Sequence, residues 1–84
     1  MNIYVGNLDF GVEENDLREV FEEYGSVSST KIITDKFTGR SKGFGFVEMD
    51  DNDSANKAIN DLNGSQFENR DMVVNEARPR KTNY

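Results

Sequence analysis

The sequence of 84 residues predicts one α+β domain with the element order strand, helix, strand, strand, helix, strand. Two segments carry apolar residues at helical spacing, and four segments alternate inward and outward residues with a period of two. Turn residues separate these segments. This order is typical of a four-stranded antiparallel sheet with both helices on one face, which leaves the other face of the sheet bare.

The first strand and first helix are predicted over the amino-terminal third of the chain. The segment from Asn2 to Asn7 alternates outward and inward residues, and the next four residues form a loop. Gly25 is predicted to end the helix in the left-handed conformation. The acidic residues in the first turn of this helix, among them Glu14, interact favourably with the helix dipole and are expected to face solvent. The residues at positions i, i+3, i+4 and i+7 of this helix are Leu17, Val20, Phe21 and Tyr24.

The second and third strands are predicted to form a hairpin. Val27 to Thr34 is the second strand, and a turn at Thr38-Gly39 leads into the third, which contains residues 42–49. Within the second strand, Thr30 and Ile32 lie on one side, and Lys31 and Ile33 lie on the other.

The second helix and the last strand complete the predicted order. Residues 50–53 include several residue types that cap the start of a helix, and Asn63-Gly64 is predicted to end it. Phe67 is expected to pack against the edge of the core. Asn69 precedes the last strand and is a residue type that tolerates positive φ. On the last strand, Met72 and Val74 point inward. The inner face of the helix comprises Ala55, Ala58, Ile59 and Leu62.

Composition excludes several kinds of site. The sequence contains no cysteine and no histidine, so disulfides, thiolate or imidazole metal sites and Ser-His-Asp triads are absent. Apolar runs never exceed three residues, and no signal peptide or membrane span is recognised. We expect an intracellular protein, cytoplasmic or, in a eukaryote, nuclear. We also expect it to be a monomer with no enzymatic activity, cofactor or metal.

The third strand carries aromatic residues on its predicted outer face. Phe44 and Phe46 are two residues apart and share one face, whereas Gly45 and Val47 point to the other. A bare F-x-F pattern is more often a pair of core phenylalanines. However, Tyr4 occupies a similar outward position between Ile3 and Val5, and exposed aromatic side chains predict a flat partner such as a nucleobase.

The two segments together resemble the paired motifs of the RNA recognition motif (RRM) family. Lys42 to Met49 is similar to the octapeptide K/R-G-F/Y-G/A-F-V-x-F/Y, and only Met49 departs from it. Met49 lies two residues after Val47 and therefore faces the core, so this difference from the motif affects core packing and not the outer face. The resemblance covers Asn2 to about Ala77, with residues 78–84 as a basic, flexible tail. The chain resembles small single-RRM proteins of bacteria and plants, including the glycine-rich type but without a glycine-rich tail. It implies the ferredoxin-like βαββαβ fold.

The resemblance also implies how single-stranded RNA, and with it single-stranded DNA, would be bound. Tyr4 and Phe44 would each stack a base, Phe46 would pack against sugars, and Lys42 would meet a phosphate. By strand parity the surrounding residues are Asn2, Lys31, Ile33, Glu48, Val73 and Asn75. The residues expected to hold the RNA backbone beside Lys42 are Lys36, Arg40, Arg78 and Arg80.

The charge distribution qualifies this interpretation. The formal net charge is -6, whereas binding to phosphate favours a basic domain. Residues 31–42 and 77–84 together carry seven bases and one acid, a net charge of +6. The remaining residues carry three bases and fifteen acids, a net charge of -12, concentrated on the predicted helices. The acidic side would be repelled by RNA and would help to orient the basic side toward it.

Two alternatives use other surfaces of the same fold. The first is an RRM that binds protein, in which the acidic first helix receives a basic peptide. Such relatives usually have lost the aromatic residues of the sheet and carry Arg-x-Phe before the last strand, where this chain has Ser65-Gln66-Phe67-Glu68. The second is an acylphosphatase-like enzyme, which needs a phosphate-cradling loop with an arginine after the first strand. Residues 6–11 contain no arginine.

Overall fold

A computed structural model describes residues 1–77 of the chain, so the predicted basic tail, with Arg78 and Arg80, lies outside the described residues. The predicted α+β fold is confirmed. Neither of the two helices in residues 1–77 is long and apolar enough to cross a membrane. The elements are β1 (Asn2–Gly6), α1 (Glu14–Glu22), β2 (Val27–Thr34), β3 (Ser41–Met49), α2 (Asn52–Leu62), β4 (Gln66–Phe67), β5 (Arg70–Asp71) and β6 (Val73–Glu76).

The main sheet has the strand order β2-β3-β1-β6, and all its neighbouring strands are antiparallel. β1 and β3 therefore lie side by side at the centre, although more than thirty residues separate them in the sequence. Ile3 lies opposite Val47, and Val5 lies between Gly45 and Val74. A separate two-stranded hairpin of β4 and β5 precedes β6, and its Phe67 packs against the edge of the core as predicted.

The hydrophobic core lies between one face of this sheet and the two helices. Leu17 and Phe21 of α1 and Ala55 and Ala58 of α2 are fully buried. Met49 is also fully buried, which confirms that the departure from the octapeptide motif lies in the core. The inward residues of β1, β3 and β6 that meet the helices are Ile3, Val5, Val47 and Val74.

One helix terminus differs from the prediction. Gly25 does not have a positive φ, and α1 ends through Glu23, which keeps right-handed helical angles. The predicted left-handed terminus is therefore wrong. A Cβ atom at Gly25 would lie 2.7 Å from the Ser54 hydroxyl oxygen of α2, so glycine is needed for the close approach of two segments. Spacing within α1 carries no information about that contact.

Side chains from the helical layer occupy both exposed edges of the sheet. The Ile32 N–H of β2 donates to the Glu14 carboxylate at 3.2 Å, and the Val74 N–H of β6 donates to the Asn63 side-chain oxygen at 3.0 Å. Glu14 is exposed, as expected for an acid of the first turn, and its carboxylate also accepts this bond. Unpaired edge groups are templates for strand addition, so these bonds protect the sheet from edge-to-edge pairing.

The loop between β2 and β3 is ordered by Asp35. The Asp35 carboxylate accepts hydrogen bonds from the Phe37 N–H at 2.7 Å and the Thr38 N–H at 3.3 Å. The Asp35 carbonyl oxygen accepts from the Gly39 N–H at 2.8 Å. The backbone donors of Phe37 and Thr38, with a smaller contribution from Lys42, hold the pKa of Asp35 below its ordinary value. The basic hairpin is therefore organised around a carboxylate.

Replacing an inward aliphatic residue should destabilise the fold far more than replacing its outward neighbour. We expect Val5→Ala to lower the free energy of unfolding by about 1 to 3 kcal/mol, because it removes buried methyl groups and leaves a cavity. Val73→Ala is the matched control, since Val73 is 42% exposed. Its loss should stay within about 0.5 kcal/mol in urea denaturation. Equal losses would show that the two faces of the sheet are exchanged.

The hydrogen bonds of Asp35 should titrate with its carboxyl group. Because its pKa is lowered in the folded state, the stabilisation is present above the ordinary value of 3.8 and is lost as pH falls through the lower folded value. We expect the Phe37 and Thr38 amide resonances to shift together in an NMR titration, with a midpoint below 3.8. Asp35→Asn should abolish this transition, because the amide oxygen accepts hydrogen bonds without titrating. A midpoint at or above 3.8 would contradict the assignment.

Candidate nucleic-acid interface

Three aromatic rings meet on the bare face of the sheet, and we call Tyr4, Phe44 and Phe46 the aromatic platform. Tyr4 lies directly opposite Phe46 across the β1–β3 ladder. The ring centroids are 6.0 Å apart for Tyr4 and Phe44, 5.9 Å for Tyr4 and Phe46, and 6.3 Å for Phe44 and Phe46. Phe46 is 36% exposed and the other two rings are half-buried, so they are not core residues.

The rings differ in orientation. Tyr4 and Phe44 are tilted by 35°, whereas Phe46 stands at 64° to Tyr4 and 89° to Phe44. The Tyr4 ring extends along β1 over Gly6, where a Cβ atom would lie 2.8 Å from the ring carbon Cζ. The missing side chain at Gly6 therefore gives Tyr4 room to lie across the strand.

Glycines of β3 serve the packing of the sheet. A Cβ atom at Gly45 would overlap the Lys31 carbonyl oxygen and lie 3.1 Å from the Ile32 Cα atom. Gly43 has a φ of +86°, and its carbonyl oxygen accepts from the Leu8 N–H at 2.8 Å. These two glycines let neighbouring backbone segments approach β3.

Polar and apolar residues surround the platform where strand parity predicts them. Asn75 lies opposite Tyr4 on β6, and Lys31 lies opposite Phe46 on β2. Asn2 and Glu48 face each other at one end of the platform. The Ser29 hydroxyl donates to the Glu48 carboxylate at 3.4 Å. The other two predicted neighbours differ in exposure: Val73 is exposed and Ile33 is half-buried.

A cationic hairpin borders one side of the platform. Lys36, Arg40 and Lys42 are all exposed. Arg40 and Lys42 line an open groove of about 950 Å³ together with Phe44. The predicted contacts at Arg78 and Arg80 lie outside the described residues.

Phe10 and Arg70 border the same region and were not predicted from the sequence. Phe10 is 66% exposed and lines the groove with Phe44. The Arg70 guanidinium carbon lies 5.8 Å from the centre of the Phe10 ring, and its Nη1 donates to the Asn7 side-chain oxygen at 3.1 Å. The Asn7 side-chain nitrogen donates to the Asp71 carbonyl oxygen at 2.7 Å. Neither Phe10 nor Arg70 belongs to a periodic pattern, so no sequence signal pairs them.

Comparison with known proteins places this arrangement in a family. The sequence model of the RNA recognition motif matches residues 3–73. The chain is 49% identical over 81 residues to RbpE of Nostoc sp., covering 96% of this chain and 82% of that protein. The crystal structure of RNA-binding protein PG1 superposes with a TM-score of 0.93 at 50% identity and covers 98% of this chain and 99% of that one.

A solved relative carries RNA on the same fold. The structure of the Rna15 RRM with bound RNA (GU) superposes with a TM-score of 0.83 at 28% identity, covering 98% of this chain and 87% of that chain. The span matched by the family sequence model, residues 3–73, includes nearly all of β1, the whole of β3, both helices and the start of β6. The chain therefore belongs to the RNA recognition motif family.

Proposed function

We propose that this protein binds single-stranded RNA across the bare face of its sheet. The aromatic platform carries the proposal, because three rings with centroids about 6 Å apart stand on a face that neither helix of residues 1–77 covers. Each nucleobase has a π-face, so base stacking on aromatic side chains binds single strands with little sequence demand. The Rna15 RRM, which has the same fold, was solved with bound RNA (GU), and this supports RNA as the ligand.

The exposure of the rings refines the expected role of Phe46. The family resemblance implied that Phe46 packs against sugars, whereas Tyr4 and Phe44 stack bases. Phe46 is the most exposed of the three rings. We therefore expect it to contribute at least as much stacking surface as Phe44.

Polar neighbours would supply the modest base preference. Asn75 lies beside Tyr4 and presents an amide that both donates and accepts hydrogen bonds. The Glu48 carboxylate can only accept hydrogen bonds, so it favours an exposed amino group of cytosine, adenine or guanine. Its negative charge disfavours a nearby phosphate. Lys36, Arg40 and Lys42 would hold phosphates and position the strand without reading it.

The remaining expectations follow from this proposal. RRM proteins are generally non-enzymatic, and we propose that this chain also binds without chemistry, cofactor or metal. We further propose that it acts as a cytoplasmic monomer and that single-stranded DNA is a second ligand. The intact platform favours RNA over a basic peptide on the acidic α1, because a domain that recognises only protein has no need of three rings on its bare face.

Removing a ring of the platform should weaken RNA binding without unfolding the domain. We expect Tyr4→Ala, Phe44→Ala and Phe46→Ala each to cost about 1 to 3 kcal/mol of binding free energy, through lost stacking. Titration with a randomised single-stranded RNA pool measures affinity, and circular dichroism checks the fold. Phe37→Ala is the control, because Phe37 is 95% exposed but lies outside the platform. Parental affinity in all three variants would refute the platform.

The affinity for RNA should depend only weakly on salt concentration, because the residues outside the two basic segments carry a net charge of -12 and few phosphates can be contacted. With about two to four phosphates contacted, the logarithm of the binding constant should fall against the logarithm of salt with a slope of about -1.5 to -3. Reversing charge at Arg40 and Lys42 should flatten this slope by about 1.4 while base preference stays unchanged. Lys57→Glu on α2 is the control and should leave the slope intact. A changed preferred sequence in the Arg40 and Lys42 variant would contradict a role confined to phosphates.

A further inference from the structure

We propose that the groove between Phe10 and the β2–β3 hairpin binds one further nucleotide of single-stranded RNA, beyond those held by the aromatic platform. This inference rests on the proposed function and extends the binding site past the two motif strands. Its ligand is a base packed on the Phe10 ring, with an adjoining phosphate between Arg40 and Lys42.

The position of Phe10 continues the row of rings. A Cβ atom at Gly43 would lie 3.3 Å from the Phe10 ring carbon Cε1, so Phe10 packs over the start of β3 where a side chain is missing. Phe44 is the next residue of β3, and both rings line the groove. A strand of RNA leaving the platform at Phe44 therefore meets Phe10 without crossing an intervening element.

The Phe10 ring is exposed and held in place. About two thirds of Phe10 is exposed, which is unusual for a phenylalanine in an ordered loop. Arg70 lies over the ring and is itself fixed by its hydrogen bond to Asn7, which also bonds to the Asp71 backbone. This chain of contacts ties the loop after β1 to β5. A ring held in this way loses less conformational entropy on binding a base than a mobile one does.

The charges of the groove fit a nucleotide. Arg40 and Lys42 line it together with the apolar rings. Asp35 also lines the groove, where the Phe37 and Thr38 N–H groups and Lys42 stabilise its charged carboxylate. The groove therefore has two cations against one carboxylate, and it offers this excess of positive charge to a phosphate beside an aromatic surface for a base, in a chain whose net charge is -6.

The test compares two lengths of RNA. The sheet of an RRM stacks about two or three bases, so a randomised trinucleotide fills the platform alone, whereas a randomised octanucleotide also reaches the groove. We expect Phe10→Ala to weaken octanucleotide binding about 5- to 150-fold, as the loss of one stacked base would. Trinucleotide binding, measured by NMR titration, should change less than about twofold.

Two control variants make the result specific. Phe10→Tyr keeps an aromatic ring and should retain the parental affinity for the octanucleotide. Phe37→Ala removes a more exposed phenylalanine that does not line the groove, and it should also bind as the parent does. Circular dichroism should show the parental spectrum for all variants, because both phenylalanines are mostly exposed.

Each other outcome is decisive. If the parent binds the octanucleotide and Phe10→Ala binds it equally well, the additional subsite is refuted and the proposed function stands. If Phe10→Ala lowers the affinity for the trinucleotide and the octanucleotide equally, Phe10 belongs to the platform and a separate subsite is refuted. If Phe10→Tyr binds the octanucleotide as weakly as Phe10→Ala does, stacking on the ring is refuted and the subsite with it. If the parent binds neither RNA, the proposed function fails together with the inference.

Discussion

The burial of alternating aliphatic residues on β1 and β3 is the constraint on which the rest of this structure depends. Ile3 and Val5 on one strand and Val47 on the other are almost completely excluded from solvent beneath the helices. Because strand side chains alternate, fixing these residues inward forces Tyr4, Phe44 and Phe46 outward. A shift of one residue in register would bury the rings and expose the aliphatic side chains. The free energy gained by burying these aliphatic side chains therefore fixes the strand register that keeps the three rings on the outer face.

The surroundings of the platform show how an exposed aromatic surface is kept in order. Gly45 admits the backbone of β2, and Gly6 gives the Tyr4 ring space to lie along its strand. Glu14 and Asn63 occupy backbone donors at the two outer strands, so the sheet leaves its rings bare while its edges are protected. The acids are concentrated away from the basic hairpin, and this separation would favour the approach of a polyanion from the bare face.

Much of this arrangement was predictable from local patterns. Period-two alternation assigned the faces of β1 and β3, and helical spacing assigned the buried residues of both helices. The residue type of Asn69 anticipated its positive φ of 69°. The prediction for Gly25 was wrong because its role depends on Ser54, a contact between distant segments. Phe10 and Arg70 were missed for a similar reason, since a loop has no period and sixty residues separate them.

Intermolecular NMR contacts between bound RNA and the protein would show which face of the sheet meets the ligand. We expect nuclear Overhauser effects from base and ribose protons to the rings of Tyr4, Phe44 and Phe46. We expect none to exposed residues on the helical side, such as Glu19 and Asn56. Contacts concentrated on the helical side, with the three rings unaffected by RNA, would contradict the claim that the core of this domain sets its aromatic face toward the ligand.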